Sequence, residues 1–146
     1  MAVLGPTASG KSGLAELLAT HRKGELINAD ASALYRELEV GVTKPNQVTR
    51  LQLPYHLLDV ADLSQTVTVI DYQRMAMATL GEIAERDGLP ILVGGSSLYV
   101  RALLEGYCPP DIAVPDEVRQ RVRGLPLQEA VAELQQRDPA FLARLD

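Results

Sequence analysis

The sequence predicts a three-layer α/β fold with a parallel sheet, followed by a short helical C-terminal segment. Three observations predict it. Apolar runs of strand length alternate with stretches of helical spacing, each run ends in a loop carrying Gly or Asp, and beyond Pro109-Pro110 the pattern becomes wholly helical. At 146 residues and 47% hydrophobic content, the chain can bury one continuous core.

Ala2-Val3-Leu4 is a short apolar run that breaks into Gly5-Pro6, as a buried strand ends, and helical spacing follows from Lys11 at Leu14, Leu17 and Leu18. After a Lys23-Gly24 turn, a second strand at 25–28 delivers Asp30 just beyond its C-terminal end, the edge where open parallel sheets bind ligands. Residues 36–65 are irregular, with Pro45, Pro54 and a candidate strand at 55–60. Residues 68–87 read as a helix with Val69, Tyr72, Ala76, Leu80 and Ile83 on one face and Gly88-Leu89-Pro90 as its stop. Ile91-Leu92-Val93 is a buried strand ending in Gly94-Gly95-Ser96-Ser97, after which helical spacing resumes over 98–104. Three short helices follow at 115–123, at 127–136, and after Asp138, an N-cap with Pro139 in the first turn. The domain division expected is 1–108 for the core and 109–146 for the helical segment.

A net charge of −5 argues against binding nucleic acid through bulk positive charge and leaves room for a local basic groove. Cys108 is the only cysteine, so no internal disulfide or thiol metal cluster can form, which fits a reducing compartment. No charged N-terminal region precedes the first strand, and no apolar run approaches the ~20 residues of a membrane helix. A soluble, cytoplasmic monomer without membrane contact is expected.

Gly5, Pro6, Thr7, Ala8, Ser9, Gly10, Lys11 and Ser12 match GxxxxGK[ST] in full, between a strand and a helix, the context that motif requires. The bland alternative is a turn that merely joins two elements. Successive backbone N–H groups of such a loop face phosphate oxygens at a helix N-terminus, Lys11 adds a point charge, and Ser12 offers a hydroxyl to Mg2+. The fold is therefore P-loop NTPase-like. Phosphoryl transfer is the commonest chemistry of these loops and uses a strand-end carboxylate to hold the metal. Here 91–93 runs into Gly-Gly-Ser-Ser, and Asp59 is the remaining candidate, equally readable as an ordinary loop residue.

Four segments, GPTASGKS, NADASALYRELEVGVTKP at 28–45, PYHLLDV at 54–60 and LPILVGGSSLYVRALLEG at 89–106, resemble in order and spacing the tRNA dimethylallyltransferase family. The resemblance runs from Ala2 through PDEVR at 115–119 and continues more weakly to the end. It implies that the loop holds dimethylallyl diphosphate with Mg2+, and that a prenyl group passes to N6 of an adenosine in tRNA with diphosphate leaving. Backbone N–H groups and Lys11 are then aimed where charge gathers on the leaving group. Asp30 matches the family's catalytic Asp and would take the N6 proton during attack. Ser96 stands where the family's GGT motif has Thr and keeps the hydroxyl; Asp30, Lys11 and Ser96 are thus the catalytic candidates. Asp30 and Ser96 are also good helix N-caps in their own right.

The stretch Asp30, Ala31, Ser32, Ala33 corresponds to a family segment that contacts the target adenosine. It departs from the commoner Asp-Ser-Met-Gln, and loss of the Gln amide removes a partner able to grip a base edge. Ser96 and Arg119 are further tRNA-contact candidates, Arg119 sharing a helix face with Arg123 at i, i+4. Tyr99 reads as packing, and Arg101 as a phosphate contact or a solvated charge. Family members are longer, so the chain is expected to be the N-terminal part of one, ending where the rest of the tRNA-binding region begins. The readings that remain beside it are a free adenine nucleotide as acceptor, a small-molecule kinase, and a non-catalytic diphosphate-binding fragment.

Overall fold

The computed structural model describes residues 1–107 and 114–145; Cys108 and the 108/109 boundary lie outside them. The chain divides into two compact units, Met1–Pro109 and Pro110–Asp146. The first unit contains β1 (Ala2–Leu4), α1 (Lys11–Arg22), β2 (Gly24–Asn28), a 3-10 turn at Ser32–Leu34, α2 (Gln47–Gln52), β3 (Tyr55–His56), α3 (Val69–Glu85), β4 (Leu89–Gly94) and α4 (Ser97–Leu104). Its sheet has the order β1-β4-β2-β3 with every pair parallel, Val3 opposite Val93 and Ile27 opposite Leu92. All four strands therefore point their carboxyl ends at one edge, and the loop after β4 emerges between those after β1 and β2.

Strand side chains alternate between two apolar layers, which is what makes three layers of the unit. Leu26, Ile91, Val93 and Val3 pack with Ala15 and Ala19 of α1, whereas Ile27 and Leu92 pack with Tyr72, Ala76 and Ile83 of α3 and Tyr99 of α4. A fully buried side chain such as Leu26 or Ile27 contributes about 1.5–3 kcal/mol.

Of the leucine spacing seen in the sequence, only Leu18 belongs to the packing face of α1, where it packs against the core beside Ala15 and Ala19. Leu14 and Leu17 are 52% and 56% exposed, and the buried residues are Ala15 and Ala19. The helix comes closest to the sheet at Ala19, where a Cβ added at Gly24 would come within 3.2 Å of the Ala19 Cα and a small side chain is required. The candidate strand at 55–60 stops after two residues, because Leu57 (φ 59°) and Asp59 (φ 55°) turn into the left-handed region. Helix α3 starts from a capping box, in which Thr68 Oγ1 accepts from Asp71 N–H at 3.2 Å and Asp71 Oδ2 accepts from Thr68 N–H at 3.1 Å.

The second unit holds α5 (Asp116–Gly124), α6 (Leu127–Arg137) and α7 (Pro139–Leu142), none of which buries a residue. Glu133 on α6 accepts from both terminal nitrogens of Arg121 at 2.9 and 3.0 Å and pairs with Arg137 at 2.8 Å. Asp138 caps α7 through Phe141 N–H at 2.8 Å, as its sequence position suggested. Among the described residues no helix is long and apolar enough to cross a membrane.

Candidate active site

The loop after β1 is shaped by backbone conformation. Ala8 (φ 63°) and Gly10 (φ 80°) are left-handed, and Ser9 N–H returns to Pro6 O at 3.3 Å, so the chain doubles back before α1 begins at Lys11. Residues 6–10 and Ser12 are exposed, and Lys11 is half-buried. Lys11 Nζ donates to Pro6 O at 3.2 Å, which keeps the ammonium on the loop's own backbone. Gly10, the cap of α1, makes no side-chain bond to the helix's first N–H groups. Such free donors at a helix N-terminus favour an anion.

The turn after β4 joins this loop to the one after β2. On one side Gly95 lies against the P-loop, where an added Cβ would sit 3.5 Å from Gly5 O and 4.0 Å from Lys11 Cε. On the other, Gly94 meets Ala29 so closely that a Cβ would fall 2.3 Å from both its carbonyl carbon and oxygen. Ser96 then ties the turn down: its N–H donates to Ala29 O at 3.0 Å and its Oγ accepts from Ala31 N–H at 2.9 Å. Ser96 is the residue before α4, yet its side chain makes no cap bond to that helix. The hydroxyl serves the neighbouring loop, and its own hydrogen remains a donor.

Asp30 is exposed on that neighbouring loop, and its Oδ1 accepts from Ser32 N–H at 3.0 Å, opening the 3-10 turn. Asp30 thus makes a local turn bond one residue ahead of Ala31, the cap position of the 3-10 turn, and keeps a solvent-facing carboxylate. The loop is braced from below. Tyr72 hydroxyl donates to Asn28 O at 3.0 Å, burial pushing its pKa up and keeping it a neutral donor, and Asp59 N–H donates to Ala33 O at 3.1 Å.

Several residues singled out from sequence do other work. Ala33 is 3% exposed, so its side chain belongs to the core, whereas Ala31 is half-buried and Ser32 exposed. Asp59 is held by Lys44 at 2.6 Å and Arg50 at 2.5 Å; burial alone would raise its carboxyl, but the two cations outweigh burial and keep it below the usual range. That carboxylate is committed to fastening residues 35–36, because Lys44 also donates to Tyr35 O at 2.6 Å and Arg36 O at 3.4 Å. Tyr99 is 8% exposed and stacks on Tyr72, as its packing role requires, while Arg101 pairs with Glu105 at 2.9 Å on the surface. In the second unit Arg119 is exposed and donates to Val114 O at 3.3 Å.

Among the described residues no group of three or more His, Cys, Asp or Glu could hold a metal ion. Of the exposed P-loop hydroxyls, those of Thr7, Ser9 and Ser12, the one that the motif assigns to a cation is that of Ser12, in the first turn of α1. That set suits Mg2+, which keeps most of its shell as water and substrate phosphate oxygens.

A family model described as IPP transferase matches residues 33–146. The tRNA dimethylallyltransferases of Mycobacteroides abscessus and Zymomonas mobilis are 43% and 42% identical, each covering 98% of this chain and being covered over 46% of its own length. Among solved structures, a tRNA isopentenylpyrophosphate transferase from Bacillus halodurans superposes with a TM-score of 0.72 at 33% identity, over 99% of this chain and 49% of that one. A eukaryotic dimethylallyltransferase acting on tRNA shares the fold with a TM-score of 0.84 at 21% identity, over 99% and 37%. The chain spans about half the length of the curated relatives it matches.

Proposed function

This chain belongs to the IPP transferase family, and on that premise we propose that it transfers a dimethylallyl group from dimethylallyl diphosphate to N6 of an adenosine in tRNA. The observation that carries this reading is the Gly94-Gly95-Ser96 turn, which touches the P-loop on one side and binds the Asp30 loop on the other. A diphosphate cradle and a carboxylate are thereby held at one sheet edge by one rigid connection.

In the proposed reaction the N6–C1 bond forms as the C1–O bond breaks, diphosphate departs with the bonding electrons, and the N6 proton passes to the Asp30 carboxylate. The P-loop N–H groups and Lys11 bind the diphosphate and stabilise the charge that accumulates on it, the type of term that dominates many enzymatic rate enhancements. Bound through the Ser12 hydroxyl, Mg2+ would supply further neutralisation of that leaving group. Asp30 orients the amine and accepts its proton, a role worth about 10² to 10⁴-fold. Ser96, with its lone pair given to Ala31 N–H, can donate its hydrogen towards the acceptor nucleoside. Ala31, Ser32 and Arg119 are the proposed tRNA contacts. The kinase alternative finds little support, because β4 ends in glycines and Asp59 is tied up by Lys44 and Arg50.

The test is incubation with dimethylallyl diphosphate, Mg2+ and unmodified tRNA, with AMP in a parallel tube, followed by mass analysis of the nucleosides. Prenylated adenosine from tRNA is expected. Product from AMP alone would move the acceptor to a free nucleotide, and no product in either tube would sink prenyl transfer for this chain.

A further inference from the structure

Asn28 closes β2 and is 5% exposed, one of two buried polar residues among the described ones. Its side-chain amide makes three hydrogen bonds. Oδ1 accepts from Asp30 N–H at 3.0 Å, while Nδ2 donates to Asp30 O at 2.9 Å and to Leu57 O at 2.9 Å. One amide thus grips the peptide groups on both sides of the Asp30 Cα and ties them to the chain leaving β3. Sheet formation does not demand this, since the Asn28 backbone is already in register with Val93 and its carbonyl takes the Tyr72 hydroxyl.

We infer that Asn28 is the positioning residue that sets the Asp30 carboxylate, a role whose functional meaning rests on Asp30 as the proton acceptor proposed above. With both flanking peptides held, the carboxylate moves only through χ1 and χ2. Oδ1 is then anchored by Ser32 N–H at 3.0 Å, and Oδ2 is bonded to none of the described residues. The arrangement presents one oxygen outward in a fixed place, which is what a base acting on a docked amine needs. An aliphatic residue at 28 would leave the Asp30 N–H and the Asp30 and Leu57 carbonyls without their partner.

The experiment compares Asn28→Ala and Asn28→Ser with the unaltered full chain by amide hydrogen exchange and by prenyl-transfer kinetics. Asn28→Ala is expected to reduce protection of Asp30 N–H by about tenfold or more while leaving Ala29 N–H, bonded to Val93 O at 2.8 Å, as protected as before. In the same variant kcat should fall with KM for dimethylallyl diphosphate unchanged, and Asn28→Ser, which restores a short acceptor, should recover part of both. Equal loss of protection at Ala29 and Asp30 would mean a merely structural residue and overturn the inference, as would unchanged protection or an unchanged kcat. If Asn28→Ala does not fold, Asn28→Ser read against the unaltered chain carries the same exchange and kinetic criteria. A chain that shows the exchange pattern but no transfer before mutation would retire the prenyl-transfer reading and leave the positioning of Asp30 standing.

Discussion

The P-loop and the Asp30 loop leave the same edge of the sheet, but they are built on opposite plans. The first is shaped by left-handed Ala8 and Gly10 and leaves its polar backbone exposed, with Lys11 returning to Pro6 O. The second has almost every backbone group answered: Asp30 by Asn28, Ala31 by Ser96, Ala33 by Asp59, and Asn28 O by Tyr72. A loop that receives a polyanion must keep its N–H groups available, whereas a loop that presents one carboxylate to one amine must be unable to wander. On the proposed function the difference is one of task, and the β4 turn is where the two loops meet.

The severest way to break that pairing is Gly94→Ala. Its Cβ would sit 2.3 Å from the Ala29 backbone, so the β4 turn and the base of the Asp30 loop must move apart, and we expect about 4 kcal/mol of destabilisation in urea unfolding. Gly95→Ala is the control, since a Cβ there meets nothing nearer than 3.5 Å. The next test splits the loops. Asp30→Asn should lower kcat by about 10² to 10⁴-fold without weakening dimethylallyl diphosphate binding by calorimetry. Lys11→Met should reverse the pattern and weaken that binding by about tenfold to a hundredfold. Equal effects of both on binding would erase the distinction. Ser96→Ala, which strands Ala31 N–H, should cost about 1 kcal/mol, and Ser96→Thr almost nothing, as shifts of the urea midpoint.

The smallest effect on either loop should come from the other end of the sheet, where Glu25 has no part in them. Arg86 donates to it at 2.6 and 2.7 Å and His56 lies at 2.7 Å; the Arg86 bond, against burial and with help from His56, lowers its pKa from 4.5 to about 2. Because the folded value is the lower one, the stability it provides is complete above about 4.5 and lost as pH falls towards about 2. Glu25→Gln should flatten acid unfolding in that window while diphosphate binding at neutral pH stays the same.

The parts of this design that were readable in the sequence are those written locally. The P-loop is eight consecutive residues, the β4 strand and its glycines are contiguous, and Asp138 is a cap placed where a cap belongs. What escaped depends on residues far apart. The leucine spacing of α1 found Leu18 but missed Ala15 and Ala19, because the close approach at Gly24 favours alanine, a fact that sits in another element. Asp59 looked like a strand-end carboxylate because Lys44 and Arg50, 15 and 9 residues away, are its partners only in the fold. Asn28 read as the last residue of a strand, and Ala33 as part of a contact motif. Only the side-chain bonds of the first and the burial of the second separate support from contact.

The chain has no tryptophan and five tyrosines, and two of those, Tyr72 and Tyr99, stack with ring centroids 4.1 Å apart and planes 8° from parallel. Because Tyr72 also donates to Asn28 O, that stack is wired to the base of the Asp30 loop. Rings so close and so nearly parallel couple optically, so the near-ultraviolet circular dichroism of this protein carries a built-in gauge of whether its candidate catalytic loop is seated.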